Sequence, residues 1–238
     1  MKASLDKLMV SIEQAQRGLS HKIAVFDADG TLWPEDVGFG FFEYQVKNNL
    51  LPYKDFFKSI DECYKENKIK TCSIILQKNK GVLFDQYLSW CQSFFKTDPL
   101  TIFSFQKELI KYLKKLDVTV YVVSASPQWV VQQAVRHYEL PVDVVVGLKT
   151  VVDDKRVITD QLVYPLSMDS GKVTAFLERS KNIYPFFASG NTVSDLDLLE
   201  SSTHIKCVVA KAQKEERQYE SEQVLLSIAR QKNWFYFS

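Results

Sequence analysis

Cysteine is scarce in this 238-residue sequence, and its four cysteines stand far apart from one another. Cys63, Cys72, Cys91 and Cys207 form no CxxC pair and follow no regular spacing. Neither a zinc site nor a framework of disulfide bonds is therefore indicated, and we expect buried, unpaired thiols. The three histidines are equally scattered, so we expect them to be structural or exposed.

Long apolar runs are also lacking. No stretch is long enough to span a bilayer. Residues 1–22 mix charges among their apolar side chains, which is not typical of a signal peptide. We therefore expect a cytoplasmic protein, although secretion by a route without a cleavable signal would leave no trace in the sequence.

An excess of one charge is absent, because 30 basic residues face 29 acidic residues and the formal net charge is +1. No global field favours a nucleic acid or a membrane surface as partner, and neither is expected. Repeats and Pro/Gly/Ser-rich linkers are absent as well. The pair Gly38 and Gly40 does not predict a nucleotide loop, because no strand precedes it and no third glycine follows at the required spacing.

What the sequence does contain is a series of short apolar runs. With 46% apolar residues, the chain can bury the core of one large domain or of a domain with an insertion. Helix-like stretches, the first of them over residues 5–19, alternate with these runs. The alternation predicts an α/β fold with a doubly wound parallel sheet. The predicted strands cover residues 23–26, 118–126, 142–147, 184–191 and 205–210.

The segment 33–105 interrupts this alternation, since it has helical periodicity and no convincing strand. We predict a helical cap at 33–105, inserted into a core formed by 1–32 and 106–238. Its aromatic residues are expected to pack in the cap interior rather than to stack on bases. Residues 212–232 are predicted to be helical. The aromatic terminus that follows is expected to dock on the body, with partner binding as the alternative.

The strongest local motif is Asp27-Ala28-Asp29-Gly30-Thr31, which follows the first predicted strand. Alternation along the strand sends Asp27 and Asp29 in the same direction. Two adjacent carboxylates repel each other unless a cation neutralises them, and Mg²⁺ prefers such oxygen ligands. One carboxylate could then attack phosphorus while the other transfers protons. The alternative is a solvated acidic turn.

Three further signals stand at or near predicted strand ends. Ser124 offers a hydroxyl donor there, unless it or Ser126 caps the next helix. Lys172 stands at the start of a predicted helix, where its positive charge is unfavourable in the field of the helix dipole. A nearby anion would explain this position. Asn191 and Asp195 offer oxygen ligands, with a helix N-cap formed by Asp195 or Ser194 as the alternative.

The order of these four signals resembles the signature motifs of the haloacid-dehalogenase-like hydrolase superfamily. The helical insertion resembles the cap of its phosphoserine-phosphatase-like branch, and the resemblance extends from Ile23 to Ala210. It implies a Rossmann-like core and a Mg²⁺-dependent phosphatase that acts on a small phosphomonoester through an aspartyl-phosphate. It does not predict the oligomeric state.

The same resemblance assigns roles to individual residues. It implies that Asp27 is the nucleophile and Asp29 the general acid and base. The transferring phosphoryl oxygens would be held by Ser124 and Lys172, with Thr31 near them.

The resemblance also implies a metal site. Mg²⁺ would be held by the Asp27 carboxylate, the Asp29 backbone carbonyl and Asn191, with Asp195 orienting the inner shell. Many members of the superfamily carry aspartate where this chain has Asn191, and the lost negative charge puts the metal affinity in doubt.

Two questions about function stay open in the sequence. Dehalogenase chemistry is disfavoured by Asp29, while a non-catalytic docking protein and a phosphoprotein phosphatase are retained as alternatives. Trp33 and Asp36 enter the cap next to the first motif, where they could recognise a cationic leaving group. The alternative is that Trp33 packs in the cap hinge and that Asp36 faces water.

Overall fold

The computed structural model describes residues 2–238, apart from the side chains at positions 3, 57 and 58. A six-stranded sheet in the order β3-β2-β1-β6-β7-β8 forms the centre of the molecule. Every neighbouring pair of strands in it is parallel, so the predicted doubly wound fold is confirmed. Its strands are β1 (Ile23–Phe26), β2 (Thr119–Pro127), β3 (Val145–Leu148), β6 (Phe187–Gly190), β7 (Ile205–Val209) and β8 (Phe235–Phe237).

Helices contribute to a hydrophobic cluster on each face of this sheet, which is why most residues of its strands are apolar. Alternation in β1 places Phe26 in one cluster with Leu109, and Val25 in the other with Phe176 and Leu225. The helices outside the predicted insertion are α1 (Lys2–Ala15), α7 (Ser104–Lys115), α8 (Gln128–Ala134), α9 (Gly171–Arg179), α10 (Leu196–Glu200) and α11 (Tyr219–Gln231).

The segment between β1 and α7 is helical, as predicted. Its aromatic residues pack on one another: the ring centroid of Phe41 lies 5.2 Å from that of Tyr87 and 5.8 Å from that of Phe94. The rings of Tyr87 and Trp129 also join α6 to α8, so this part of the insertion continues the main core. The division into core and cap stays a prediction. The helices are α2 (Val37–Lys47), α3 (Lys54–Lys58), α4 (Ile60–Glu66), α5 (Lys68–Gln77) and α6 (Phe84–Thr97).

An antiparallel hairpin, β4 (Thr150–Val152) and β5 (Ile158–Leu162), is absent from the sequence prediction. Its strands are short and its turn is charged, so its alternation is weak. The hairpin pairs with the insertion through the backbone, since Ile158 donates to the carbonyl of Val82 and accepts from Gly81. The hairpin therefore connects the insertion to the segment of the chain between β3 and α9.

Several predicted boundaries are wrong by a few residues. Residues 142–144 form a 3₁₀ turn before β3, and the strand predicted at 184 begins at Phe187. The helix predicted from residue 212 begins at Tyr219. The preceding residues instead form a loop that passes close to the sheet edge.

The aromatic terminus docks on the body, as expected. Strand β8 pairs with β7, and the ring centroid of Phe237 lies 4.6 Å from that of Phe105. All four cysteines are free, and three of them are buried. No helix in the described range 2–238 is both long enough and apolar enough to cross a membrane.

Candidate active site

A cavity of about 110 Å³ opens beyond the C-terminal ends of β1, β2 and β6. In a parallel sheet this edge is where side chains from different strands converge. Helices α2, α4 and α5 form its opposite wall. Its lining includes six of the predicted site residues, Asp27, Asp29, Asp36, Lys172, Asn191 and Asp195, together with Phe39, Tyr64, Lys68, Cys72 and Ile75 from the insertion.

Asp27 follows β1 directly and is almost entirely buried. Its Oδ1 atom accepts a hydrogen bond from Lys172 Nζ at 2.6 Å, and its Oδ2 atom accepts one from Thr31 Oγ1 at 3.0 Å. Burial and the neighbouring Asp195 carboxylate raise the pKa of Asp27, and Lys172 opposes them. One oxygen is therefore held by Lys172 from α9, and the other by Thr31, four residues further along the same segment.

Lys172 lies between two carboxylates, which explains a cation in the first turn of α9. Its ammonium contacts both Asp27 and Asp195, and its side chain is only 4% exposed. Burial alone would lower the pKa of Lys172, but the charges of Asp195 and Asp27 raise it above its usual value. The lysine is thus kept charged although it is buried.

Asp195 is both a helix cap and a partner of the lysine. Its Oδ2 atom accepts hydrogen bonds from the backbone N–H groups of Asn191 and Thr192, each at 3.0 Å. Burial raises the pKa of Asp195, but the charge and hydrogen bond of Lys172 and the backbone N–H groups of Thr192 and Asn191 together lower it, and the net direction is downward. Gly190 permits this packing, since a Cβ atom there would lie 2.5 Å from that of Asp195.

Asp29 is surrounded by hydrogen-bond donors. Oδ1 accepts from Trp33 Nε1 at 2.8 Å and from Val37 N at 3.0 Å. Oδ2 accepts from Ser126 Oγ at 2.6 Å and from Ser124 Oγ at 3.3 Å. Burial, and then the charge of Asp36, raise the pKa of Asp29 to about 6 against these hydrogen bonds. A carboxyl with such a pKa can both give and accept a proton near neutral pH.

Asn191 is oriented by Glu222, a residue that the sequence reasoning missed. Asn191 Nδ2 donates to Glu222 Oε1 at 2.8 Å, which leaves Asn191 Oδ1 facing Thr31 Oγ1 at 3.5 Å. Gly30, with φ at +76°, allows this approach, because a Cβ atom there would lie 1.9 Å from Asn191 Nδ2. Nothing in the sequence marks Glu222, since it lies within the charged run 214–222.

A family model described as haloacid dehalogenase-like hydrolase matches residues 24–200. The chain belongs to this family. A search of the curated proteins finds no match. The predicted superfamily is confirmed.

Solved structures show the same fold at low sequence identity. A protein of unknown function from Bordetella pertussis Tohama I has a TM-score of 0.74 and 15% identity, over 92% of this chain and 99% of that chain. A HAD family hydrolase from Salmonella enterica serovar Typhi has a TM-score of 0.58 and 18% identity, over 98% and 75%. A phospho-aspartyl intermediate analogue of phosphoserine phosphatase has a TM-score of 0.55 and 15% identity, over 81% and 88%.

Within this haloacid dehalogenase-like hydrolase, two residues predicted to hold phosphoryl oxygens lie behind the cavity wall. Thr31 and Ser124 are fully buried, and their hydroxyls donate to Asp27 and Asp29 respectively. Ser126, which the sequence offered only as a helix cap, lines the cavity instead and bonds Asp29. A direct contact of Ser124 or Thr31 with substrate stays a prediction.

The predicted cation–π role of Trp33 is wrong. Trp33 is 0% exposed, and it packs near Tyr138 with its indole N–H turned to Asp29. An indole in this position has no face open to a ligand. Trp33 is packed in the interior, as the alternative expected, while the assignment of this segment to a cap hinge stays a prediction.

Asp36 does reach the cavity, and its side chain is 41% exposed. Its Oδ1 atom accepts from Phe39 N at 2.9 Å and so caps α2. Its Oδ2 atom lies 3.9 Å from the guanidinium of Arg217, which also contacts Asp61 and lies 4.0 Å from the centroid of the Phe39 ring. The carboxylate therefore has a cationic neighbour already, although one at long range.

The oxygen atoms near Asp27 fit a hard cation. In the range 2–238 no group of three or more His, Cys, Asp or Glu side chains is placed to hold a metal, so a site here depends on amide and backbone oxygens. Lys172 occupies Asp27 Oδ1, whereas Asp27 Oδ2 and Asn191 Oδ1 approach the same Thr31 hydroxyl. Such an all-oxygen set is the kind that Mg²⁺ prefers.

Proposed function

We propose that the protein is a Mg²⁺-dependent phosphomonoester hydrolase that acts through an aspartyl-phosphate at Asp27. The observation that carries this proposal is the contact of Lys172 with Asp27, with Asp29 on the wall of the same cavity. A fixed nucleophile, a buried cation and a carboxyl of raised pKa are what phosphoryl transfer requires of a protein.

In the first step, an Asp27 oxygen attacks phosphorus and the bond from phosphorus to the ester oxygen breaks. Asp29 donates its proton to the departing alkoxide, which its raised pKa permits near neutral pH. Lys172 offsets negative charge on the phosphoryl oxygens from its place beside Asp27. The products of this step are an alcohol and the acyl-phosphate.

In the second step, a water molecule attacks the phosphorus atom of the acyl-phosphate. Asp29, now ionised, takes a proton from that water, and the bond between phosphorus and the Asp27 oxygen breaks. Inorganic phosphate leaves and the carboxylate of Asp27 is restored. The hydroxyls of Ser124 and Ser126 hold Asp29 in position throughout.

Mg²⁺ would be held by the Asp27 carboxylate, the backbone carbonyl of Asp29 and Asn191 Oδ1, with Asp195 orienting the loop that carries Asn191. When bound, this ion supplies positive charge that neutralises the carboxylate and the phosphoryl oxygens. Asp195 fixes the loop through the N–H groups of Asn191 and Thr192.

A small phosphorylated metabolite fits this cavity better than a phosphoprotein. The insertion forms one wall with Phe39, Tyr64 and Lys68, and the volume of the cavity is about 110 Å³. A folded polypeptide would have to displace this wall to bring a phosphoryl group to Asp27. Asp36 stays a candidate for recognising the leaving group.

The test is a screen for phosphate release over many phosphomonoesters, with added Mg²⁺ and with chelator, using wild type and Asp27→Asn. We expect Mg²⁺-dependent turnover by wild type and none by the variant. Binding of phosphate without turnover of any ester would favour the alternative of a non-catalytic protein, and full activity in excess chelator would exclude the proposed metal.

A further inference from the structure

The contact between Asn191 and Glu222 joins two distant segments in the interior. Glu222 is 1% exposed, and it belongs to α11. Its two oxygens have separate tasks: Oε1 accepts from Asn191 Nδ2 at 2.8 Å, and Oε2 accepts from Ala212 N at 2.9 Å. Among the described residues 2–238, no lysine or arginine forms a salt bridge with Glu222, and a Cβ atom at Gly30 would lie 1.9 Å from Asn191 Nδ2 and 3.3 Å from Glu222 Oε1.

An ionised carboxylate only accepts hydrogen bonds, so it selects one of the two orientations of the facing amide. With Nδ2 turned to Glu222, Asn191 Oδ1 must face Thr31 and Asp27. Groups that orient a metal ligand in this way typically affect metal affinity strongly. The amide oxygen is thus presented to the site by a residue that does not itself reach it.

We propose that Glu222 is the positioning residue for Asn191, and that the two form a charge-coupled pair. Glu222 would not contact the metal directly. It carries the negative charge that an aspartate at position 191 would otherwise carry. The part of this inference that concerns Mg²⁺ rests on the proposed function, whereas the charge coupling does not.

The contact with Glu222 changes the effect that we expect from replacing Asn191 with aspartate. An aspartate there would add a ligand charge, but it would place two carboxylates in the 2.8 Å contact. They must then repel each other or take up a proton, and both are unfavourable in a buried site. Substituting Glu222 with glutamine as well would move the single charge to position 191 and reverse the hydrogen bond between the side chains.

The experiment is a double-mutant cycle on the thermal midpoint of the Mg²⁺-free protein at pH 8, with Asn191→Asp, Glu222→Gln and the pair combined. Asn191→Asp should lower Tm by roughly 5 to 15 °C, the effect of an uncompensated buried charge in a chain of this length. Glu222→Gln in that background should restore most of the loss. Equal losses in both backgrounds, or a double variant that does not fold, would overturn the coupling.

The positioning role has its own readout, the Mg²⁺ concentration that half-saturates the rise in Tm. In Glu222→Gln a single oxygen must serve both Asn191 and Ala212, so we expect this concentration to rise by roughly 10- to 100-fold. Glu220→Gln, which removes an exposed carboxylate from the same helix, is the matched control and should leave it unchanged. An unchanged concentration in Glu222→Gln contradicts the positioning role.

The two conclusions fail separately. If phosphate release is Mg²⁺-dependent but the cycle is additive, the inference about Glu222 is wrong and the proposed function stands. If the cycle shows coupling but no ester is hydrolysed, the pair is real and the proposed function is wrong.

Discussion

Lys68, in the insertion, donates a 2.6 Å hydrogen bond to Ser194, in the turn between Asn191 and Asp195. Its ammonium also lies 3.5 Å from the Asp169 carboxylate. Both partners lie more than 100 residues after Lys68 in the sequence. Lys68 and Ser194 both line the cavity. The wall that closes the cavity is therefore bonded to the turn that carries two predicted site residues.

We predict that Lys68→Met raises KM and lowers Tm by less than about 3 °C. The Lys68 side chain is 29% exposed, and pairs of this kind contribute at most about 1 kcal/mol to the free energy of unfolding. The loss instead releases α5 from the Ser194 turn, so binding should weaken more than turnover. Steady-state kinetics on an aryl phosphate provide the measurement. Lys70→Met, an exposed lysine on the same helix, is the control, and equal effects in both variants would contradict the prediction.

Asp27→Asn should abolish turnover, and Asp29→Asn should lower kcat by at least roughly 100-fold, the usual share of a general acid or base. Both variants should fold. An amide at position 29 can turn its NH₂ group to Ser124 and Ser126, whose hydroxyls can accept as well as donate. Circular dichroism and kcat are the measurements. Near-normal rates in either variant are incompatible with the proposed roles.

Trp33→Phe should destabilise the protein, because it removes a hydrogen bond to the charged Asp29 and leaves a gap in a fully buried site. Such bonds contribute about 1.5–3 kcal/mol, so Tm should fall by about 5 °C or more. Relative rates on cationic and neutral esters should not change. A change in that preference without loss of Tm would restore the ligand-binding role rejected above.

Asp36→Asn tests the remaining candidate for leaving-group recognition. Asparagine also caps helices well, so the variant keeps the bond to Phe39 N and loses only the charge. If Asp36 recognises an amine, wild type should prefer phosphoserine or phosphoethanolamine to glycerol phosphate, and the variant should lose that preference. If wild type shows no such preference, or if the variant keeps it, Asp36 only caps α2 and pairs with Arg217.

The sequence predicts the nucleophile motif and the parallel sheet because both depend on local patterns. An apolar strand that ends in Asp27 and Asp29 needs only the alternation of β1 to place the carboxylates at the sheet edge. The hairpin at 150–162 is not predicted from the sequence, because its strands of three and five residues leave only a weak pattern. Backbone hydrogen bonds to the insertion stabilise it.

Glu222 and Trp33 could not be assigned from sequence for a different reason. Glu222 acts through its contact with Asn191, which lies 31 residues earlier in the sequence, and other acidic residues such as Glu220 lie close to it in the chain. Trp33 is close to Asp29 in the chain, but whether an indole faces a ligand or its own hinge depends on Tyr138, which belongs to another element. Tertiary contacts decide both cases.

The place of Glu222 in the chain affects the order in which the enzyme becomes competent during synthesis. Asp27 leaves the ribosome early, whereas α11 and the strand β8 that completes the sheet edge emerge near the end of the described residues. A nascent chain, or one cleaved within the loop before Tyr219, would possess the nucleophile and yet leave the amide of Asn191 free to turn. Such partial products should therefore need more Mg²⁺ for phosphoester hydrolysis than a chain that includes α11.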